Sequence, residues 1–161
     1  MAKVTVMHGG ELAAEVAERV VAAASGAGVS AEAVNMSDFK KVKLGEEPQT
    51  VVFIVQSVEN DEPPESAGSC VRFLKRKAHP AGMFEKMKYS VLGLGDSNLL
   101  LDRQTTTAKD CNKVGQALDA RIAELGGSRL CDLGLADERT GLTEVEPWLE
   151  TLVPALKAAL A

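Results

Sequence analysis

Two glycines interrupt the stretch "VTVMHGGELAAEVAERV" (4–20) between an apolar strand pattern and a helical one. A strand that turns straight into a helix at glycine leaves backbone N–H groups pointing outward at the positive helix end, which suits a phosphate. The residues of this turn are His8, Gly9, Gly10, Glu11, Leu12 and Ala13. They offer no hydroxyl, and Glu11 brings a negative charge to the place where a dianion would rest, at a cost on the order of 1 kcal/mol or more. The helix dipole and the backbone donors still favour an anion, and a protonated His8 would offset Glu11. Two later stretches join this turn as candidates. "SVENDEPPES" is stiffened by Pro63 and Pro64, and Ser66 or Glu65 is placed to cap a following helix. "GLGDSN" carries glycines that would let the backbone approach a flat ligand closely, although G-x-G-D alone is a common tight turn.

Such loops need a frame to hold them together. Apolar strand patterns occupy 4–7, 32–36, 51–56, 89–94 and 129–133, and 51–55 is a continuous apolar run of the kind a strand covered on both faces needs. Helical spacing alternates with them, in Ala13, Val16, Ala17, Val20, Val21 and Ala24, in Ala67, Cys70, Val71 and Leu74, in Val114, Leu118, Ile122 and Leu125, and in Val145, Trp148, Leu149, Leu152 and Leu156. The stretch 35–43 fits a short turn of helix. This alternation, with right-handed crossovers, predicts an α/β fold: a doubly wound five-stranded parallel sheet in three αβα layers, with strand order 2-1-3-4-5. The loops after strands one, three and four then meet beyond the carboxyl ends of the strands, where ligands of such sheets bind.

Composition narrows the classes. With 161 residues, 45% of them hydrophobic, and no repeat or linker, the expectation is one domain over 1–161. A net charge of −5 argues against nucleic acid and suits basic protein surfaces. No apolar run approaches the roughly 20 residues of a membrane span, and the start has no signal-peptide pattern, so a cytoplasmic location is expected. Cys70, Cys111 and Cys131 form no C-x-x-C pair, which supports neither a zinc site nor a disulfide framework.

"VLGLGDSN", "NKVGQALDARIAELGGSRLCDLGLADE" and "EPWLETLVPAL", with "PPESAGSCVRFL" before them, together resemble the FMN-binding, flavodoxin-like domain of the diflavin reductases, of the NADPH–cytochrome reductase and methionine synthase reductase type. The resemblance spans nearly the whole chain and is specific from about residue 50 onward. It implies one-electron transfer on bound FMN, with electrons arriving from an FAD/NADPH module and leaving to a redox partner. No catalytic side chain is expected in that chemistry. The FMN contacts it implies are His8, Gly9, Gly10, Glu11, Leu12 and Ala13; Ser57, Val58, Glu59, Asn60 and Asp61; Leu94, Gly95, Asp96, Ser97 and Asn98; and Asn112 and Asp137.

Departures from the family pattern imply FMN binding that is weak or lost. The family's S-x-T-G-T turn has become His8 to Leu12, and Val58 stands where an aromatic ring would stack on the flavin. The stretch 97–111 contains no aromatic residue, but its Leu99, Leu100 and Leu101 could cover a flavin edge, receive a partner or pack as a flap. Three readings follow: an electron-transfer module, a degenerate flavodoxin-like binding or scaffold module, and an unrelated doubly wound protein such as a response-regulator receiver. An acidic rim of Glu59, Asp61, Glu62, Glu65, Asp96, Asp137 and Glu138 would face a basic redox protein.

Overall fold

The structure is a computed structural model that describes residues 3–58, 62–97 and 111–160. The first strand, β1 (Val4–Gly9), turns at Gly10 into α1 (Glu11–Gly26), and β2 (Ala31–Asn35) returns beside it. A 3₁₀ turn at Met36–Asp38, with Ser37 N–H donating to Asn35 Oδ1, leads to the short α2 (Phe39–Val42). Then follow β3 (Gln49–Gln56), α3 (Glu65–Leu74), β4 (Met87–Gly95), α4 (Lys113–Glu124), β5 (Ser128–Arg129), β6 (Gly134–Asp137) and α5 (Val145–Leu160).

Every strand pairing within the sheet is parallel, and the order is β2-β1-β3-β4, with β5 and β6 both lying against β4. This is the expected 2-1-3-4-5 order, with its fifth position filled by two short pieces. Alternation along the central strand sorts the core into two layers. Val51, Phe53 and Val55 pack with residues of α3 and α4, whereas Val52 and Ile54 pack with those of α1 and α5. All five are fully buried, and burial of each such side chain is worth about 1.5–3 kcal/mol. This two-sided burial is why the 51–55 run shows no polar alternation.

The expected last strand at 129–133 is displaced. The ladder carries on to Leu130, whose N–H donates to Tyr89 O at 2.7 Å, then breaks and resumes at Gly134. The cause is visible in the packing: neighbours Leu130 and Cys131 both lie against the α1–α5 layer. Consecutive residues of a strand point to opposite faces, so the chain must bend there.

The edge is then tied down by side chains. Arg129 grips Asp119 of α4 with Nε–Oδ1 at 3.0 Å and Nη2–Oδ2 at 2.8 Å, while buried Tyr89 Oη donates to Asp119 O at 3.0 Å. Among the described residues no helix is long and apolar enough to cross a membrane.

Candidate functional site

The carboxyl edge of the sheet brings together the end of β1, the ends of β3 and β4, the start of α4 and the end of β6. Here lie fourteen of the residues singled out from the sequence: His8, Gly9, Gly10, Glu11, Leu12, Ala13, Ser57, Val58, Leu94, Gly95, Asp96, Ser97, Asn112 and Asp137. Glu59, Asn60, Asp61 and Asn98, like Leu99 to Leu101, fall outside the described residues.

The first turn differs from a simple loop in two respects. His8 and Gly9 belong to the strand, and His8 pairs in register with Asn35 and Ile54. Partial burial holds the His8 imidazole below its ordinary pKa, against the opposing pull of Glu18, so it is neutral near pH 7 and does not offset Glu11. Gly10 alone makes the turn, at φ +114° and ψ 156°, a conformation essentially confined to glycine. Glu11 is exposed in the first turn of α1, Leu12 is half-buried against the α1–α5 core, and Ala13 is fully buried within it.

Two N–H groups of this turn, those of Gly10 and Ala13, are already engaged. Gly10 N–H donates to Ser66 Oγ of α3 at 3.1 Å. Ala13 N–H donates to Gln56 Oε1, from the last residue of β3, at 3.0 Å. Ser66 therefore serves the first turn and does not cap its own helix, where Pro64 stands at the cap position without a side-chain bond. A phosphate oxygen reaching Ala13 N–H would have to take the place of Gln56 Oε1. Neither Gln56 nor Ser66 stood out as a ligand in the sequence. The signal for Gln56 was a long carboxamide ending a run of five buried apolar residues.

The next two loops are joined by buried polar contacts. Ser57 is buried, and its Oγ accepts from Val114 N–H at 3.2 Å, capping α4 from β3. Val58 and Glu62 form an antiparallel bridge, with Glu62 N–H donating to Val58 O at 3.2 Å. Val58 is 41% exposed and so presents apolar surface at this edge. Asn112 is fully buried, and its Nδ2 donates to Ala136 O at 2.9 Å, fastening α4 to β6. The glycines of "GLG" serve the same closure. A Cβ on Gly95 would lie 2.3 Å from Cys111 O, and one on Gly93 would lie 2.9 Å from Asn112 Oδ1. Leu94 is buried between them.

Asp137 departs most from its expected place on an acidic rim. It is buried, and its Oδ1 accepts from Ser97 N–H at 2.9 Å and Arg139 N–H at 3.0 Å, latching the β4 loop to the end of β6. Burial alone would raise its pKa, but the bonds from Ser97 and Arg139 outweigh it and leave the carboxyl below its usual range. Glu138 next to it is pushed up, first by burial and then by Asp96 and Asp137. Of the other carboxylates expected on that rim, Glu62, Glu65 and Glu138 are exposed and Asp96 is half-buried.

None of the described residues of these loops is aromatic. Phe53 and Tyr89 are fully buried in the sheet, Trp148 packs in the α1–α5 core, and Phe39 stacks on Phe73 at 5.2 Å.

An open parallel sheet with this strand order, helices on both faces and a glycine turn after its first strand is a doubly wound protein of the flavodoxin type. Residues 12–150 match the family model described as Flavodoxin, and the chain belongs to that family. Over 147 residues it is 34% identical to methionine synthase reductase of Bos taurus, a match covering 91% of this chain and 19% of that protein. It is also similar to NADPH-dependent diflavin oxidoreductase 1 of Bos taurus, 31% identical over 156 residues, or 94% of this chain and 24% of that one. The chain thus spans about a fifth to a quarter of these relatives. A single-site mutant of flavodoxin from Pseudomonas aeruginosa shares the fold with a TM-score of 0.71 at 24% identity, covering 96% of this chain and 99% of that one.

Proposed function

We propose that this chain is an FMN-binding electron-transfer domain that receives electrons from an FAD/NADPH module and passes them to a redox protein. The observation that carries the reading is membership of the flavodoxin family over residues 12–150. The diflavin relative adds support for an NADPH-linked module as the electron source. The same reading takes 1–161 as one domain and places it in the cytoplasm. Bound FMN supplies the one-electron chemistry, and the protein supplies position and electrostatics. The phosphate end lies beside the turn at Gly10 to Ala13, where Ser66 and Gln56 already hold the Gly10 and Ala13 N–H groups, and exposed Val58 offers its methyl groups to one side of the ring. Ser57, Asn112 and Asp137 act behind this surface, holding β3, α4, β6 and the β4 loop in register through their buried bonds. Glu62, Glu65, Asp96 and Glu138 steer a basic partner toward the same edge. Titration of the purified chain into FMN tests the reading through flavin fluorescence. Saturable one-to-one quenching is the expected result. Fluorescence that stays unquenched at high protein concentration overturns it in favour of a scaffold module without flavin.

A further inference from the structure

We propose that Gln56 is a built-in guard of the anion turn: its carboxamide oxygen takes the place of a phosphate oxygen at Ala13 N–H, and a phosphate-bearing ligand enters only by displacing it. That the displaced ligand is a flavin phosphate rests on the function proposed above; the guard itself rests on geometry.

Gln56 ends β3 at the carboxyl edge of the sheet, and its side chain lies flat along Gly10. A Cβ built on Gly10 would stand 2.1 Å from Gln56 Oε1, 2.5 Å from its Cδ and 2.9 Å from its Cγ. Glycine at position 10 is favoured by φ +114°, and any Cβ there would also displace the Gln56 side chain. The Oε1 points at the helix start and accepts from Ala13 N–H at 3.0 Å, while Ser66 Oγ takes Gly10 N–H at 3.1 Å. Both acceptors come from elements distant in sequence, so these two N–H groups are held by tertiary contacts and not by a local cap.

The chemistry explains why a carboxamide suits this position. A helix start attracts an oxygen with partial negative charge, and a neutral amide supplies one without adding full charge. Glu11 already puts a carboxylate in the first turn of α1. A phosphate dianion would have to oppose Glu11 and replace the Gln56 bond, whereas the amide does neither. The turn therefore discriminates against phosphate, and a flavin bound at this edge gains little from its 5′-phosphate.

Thermal unfolding of the full chain, with inorganic phosphate titrated against chloride at constant ionic strength, tests the guard without any flavin. Wild type, Gln56→Ala and Gln56→Ser are compared. A ligand that binds only the folded state raises the melting temperature. The expected result is no phosphate response in wild type and a dose-dependent rise in both variants. Equal responses in all three, or none in the variants, overturn the proposal.

Parallel titrations with FMN and riboflavin read the same residue. The ratio of their dissociation constants should lie near one in wild type and shift toward FMN by about tenfold or more in the variants, the size of one bond to a charged group. An unchanged ratio overturns the guard. If no form binds either flavin but the variants still respond to phosphate, the flavin reading fails and the guard stands. Should both variants fail to fold, hydrogen exchange at Ala13 N–H in wild type decides: protection independent of phosphate supports the guard, and protection that grows with phosphate overturns it.

Discussion

Gly10→Ala is the sharpest perturbation of the turn, because its cost divides into two parts that can be measured separately. At φ +114° and ψ 156° an alanine is held in a region essentially reserved for glycine, a strain of about 1–3 kcal/mol. The new methyl would also stand 2.1 Å from Gln56 Oε1, too close to remain, so Gln56 must leave and its bond to Ala13 N–H is lost. That bond is worth about 0.5–1.5 kcal/mol net, toward the lower end where water reaches the half-buried edge. The total destabilisation should be about 2–4 kcal/mol. Urea unfolding reads it as a lower midpoint at unchanged slope. On a Gln56→Ala background the second part is already gone, so Gly10→Ala should then cost only the strain, and the difference between backgrounds isolates the contact. Equal costs on the two backgrounds would refute the placement of Gln56 over Gly10. A total below about 0.5 kcal/mol would refute the backbone conformation as well, since the strain alone exceeds it.

Three further outcomes follow from the same structure. Asp137 is held below its ordinary value, so its contribution is present at neutral pH and lost as pH falls below 3.8. Asp137→Asn should cost about 1 kcal/mol at pH 7, and the gap to wild type should close in melts below that value. Tyr89 is raised to about 12, chiefly by burial, so wild-type stability should decline as pH rises from 10 toward 12. Tyr89→Phe loses the bond to Asp119 O, about 1 kcal/mol at neutral pH, and its deficit should shrink above pH 10 in the same assay. Glu62→Gln, Glu65→Gln and Glu138→Gln combined should slow association with a basic redox partner and flatten its salt dependence in stopped-flow measurements. An unchanged rate and salt slope would reduce the rim to solvated surface.

The fold was readable because its signals are local and periodic. The 51–55 run announced a strand covered on both faces, and the glycine pair announced a turn at the carboxyl edge. The edge strand was misplaced because Leu130 and Cys131 look like a continuing strand, yet both pack to one side, a fact set by α1 and α5. The site was readable as a location but not as a set of contacts. Ser66 reaches Gly10 across 56 positions and Gln56 reaches Ala13 across 43, with no pattern linking either pair. Asp137 looks like a surface carboxylate in sequence, and only the folded loop supplies the N–H groups that bury it. The "GLG" glycines were legible as a close approach, and the chain's own Cys111 and Asn112 come that close.

The strand register also governs how this chain reaches its native state. No two paired strands are joined by a hairpin: partners such as Val4 and Ala31, Val4 and Thr50, or Gln49 and Met87 are separated by about 27 to 46 residues. Each pairing closes a long loop before it gains any contact, which places the entropy cost early and slows the search. Because β1 lies between β2 and β3, its second edge stays open until residue 56 is available, and β4 waits longer for β5 and β6. During synthesis the nascent sheet therefore carries an edge of unpaired backbone N–H and C=O groups that moves outward from β1 as the chain lengthens.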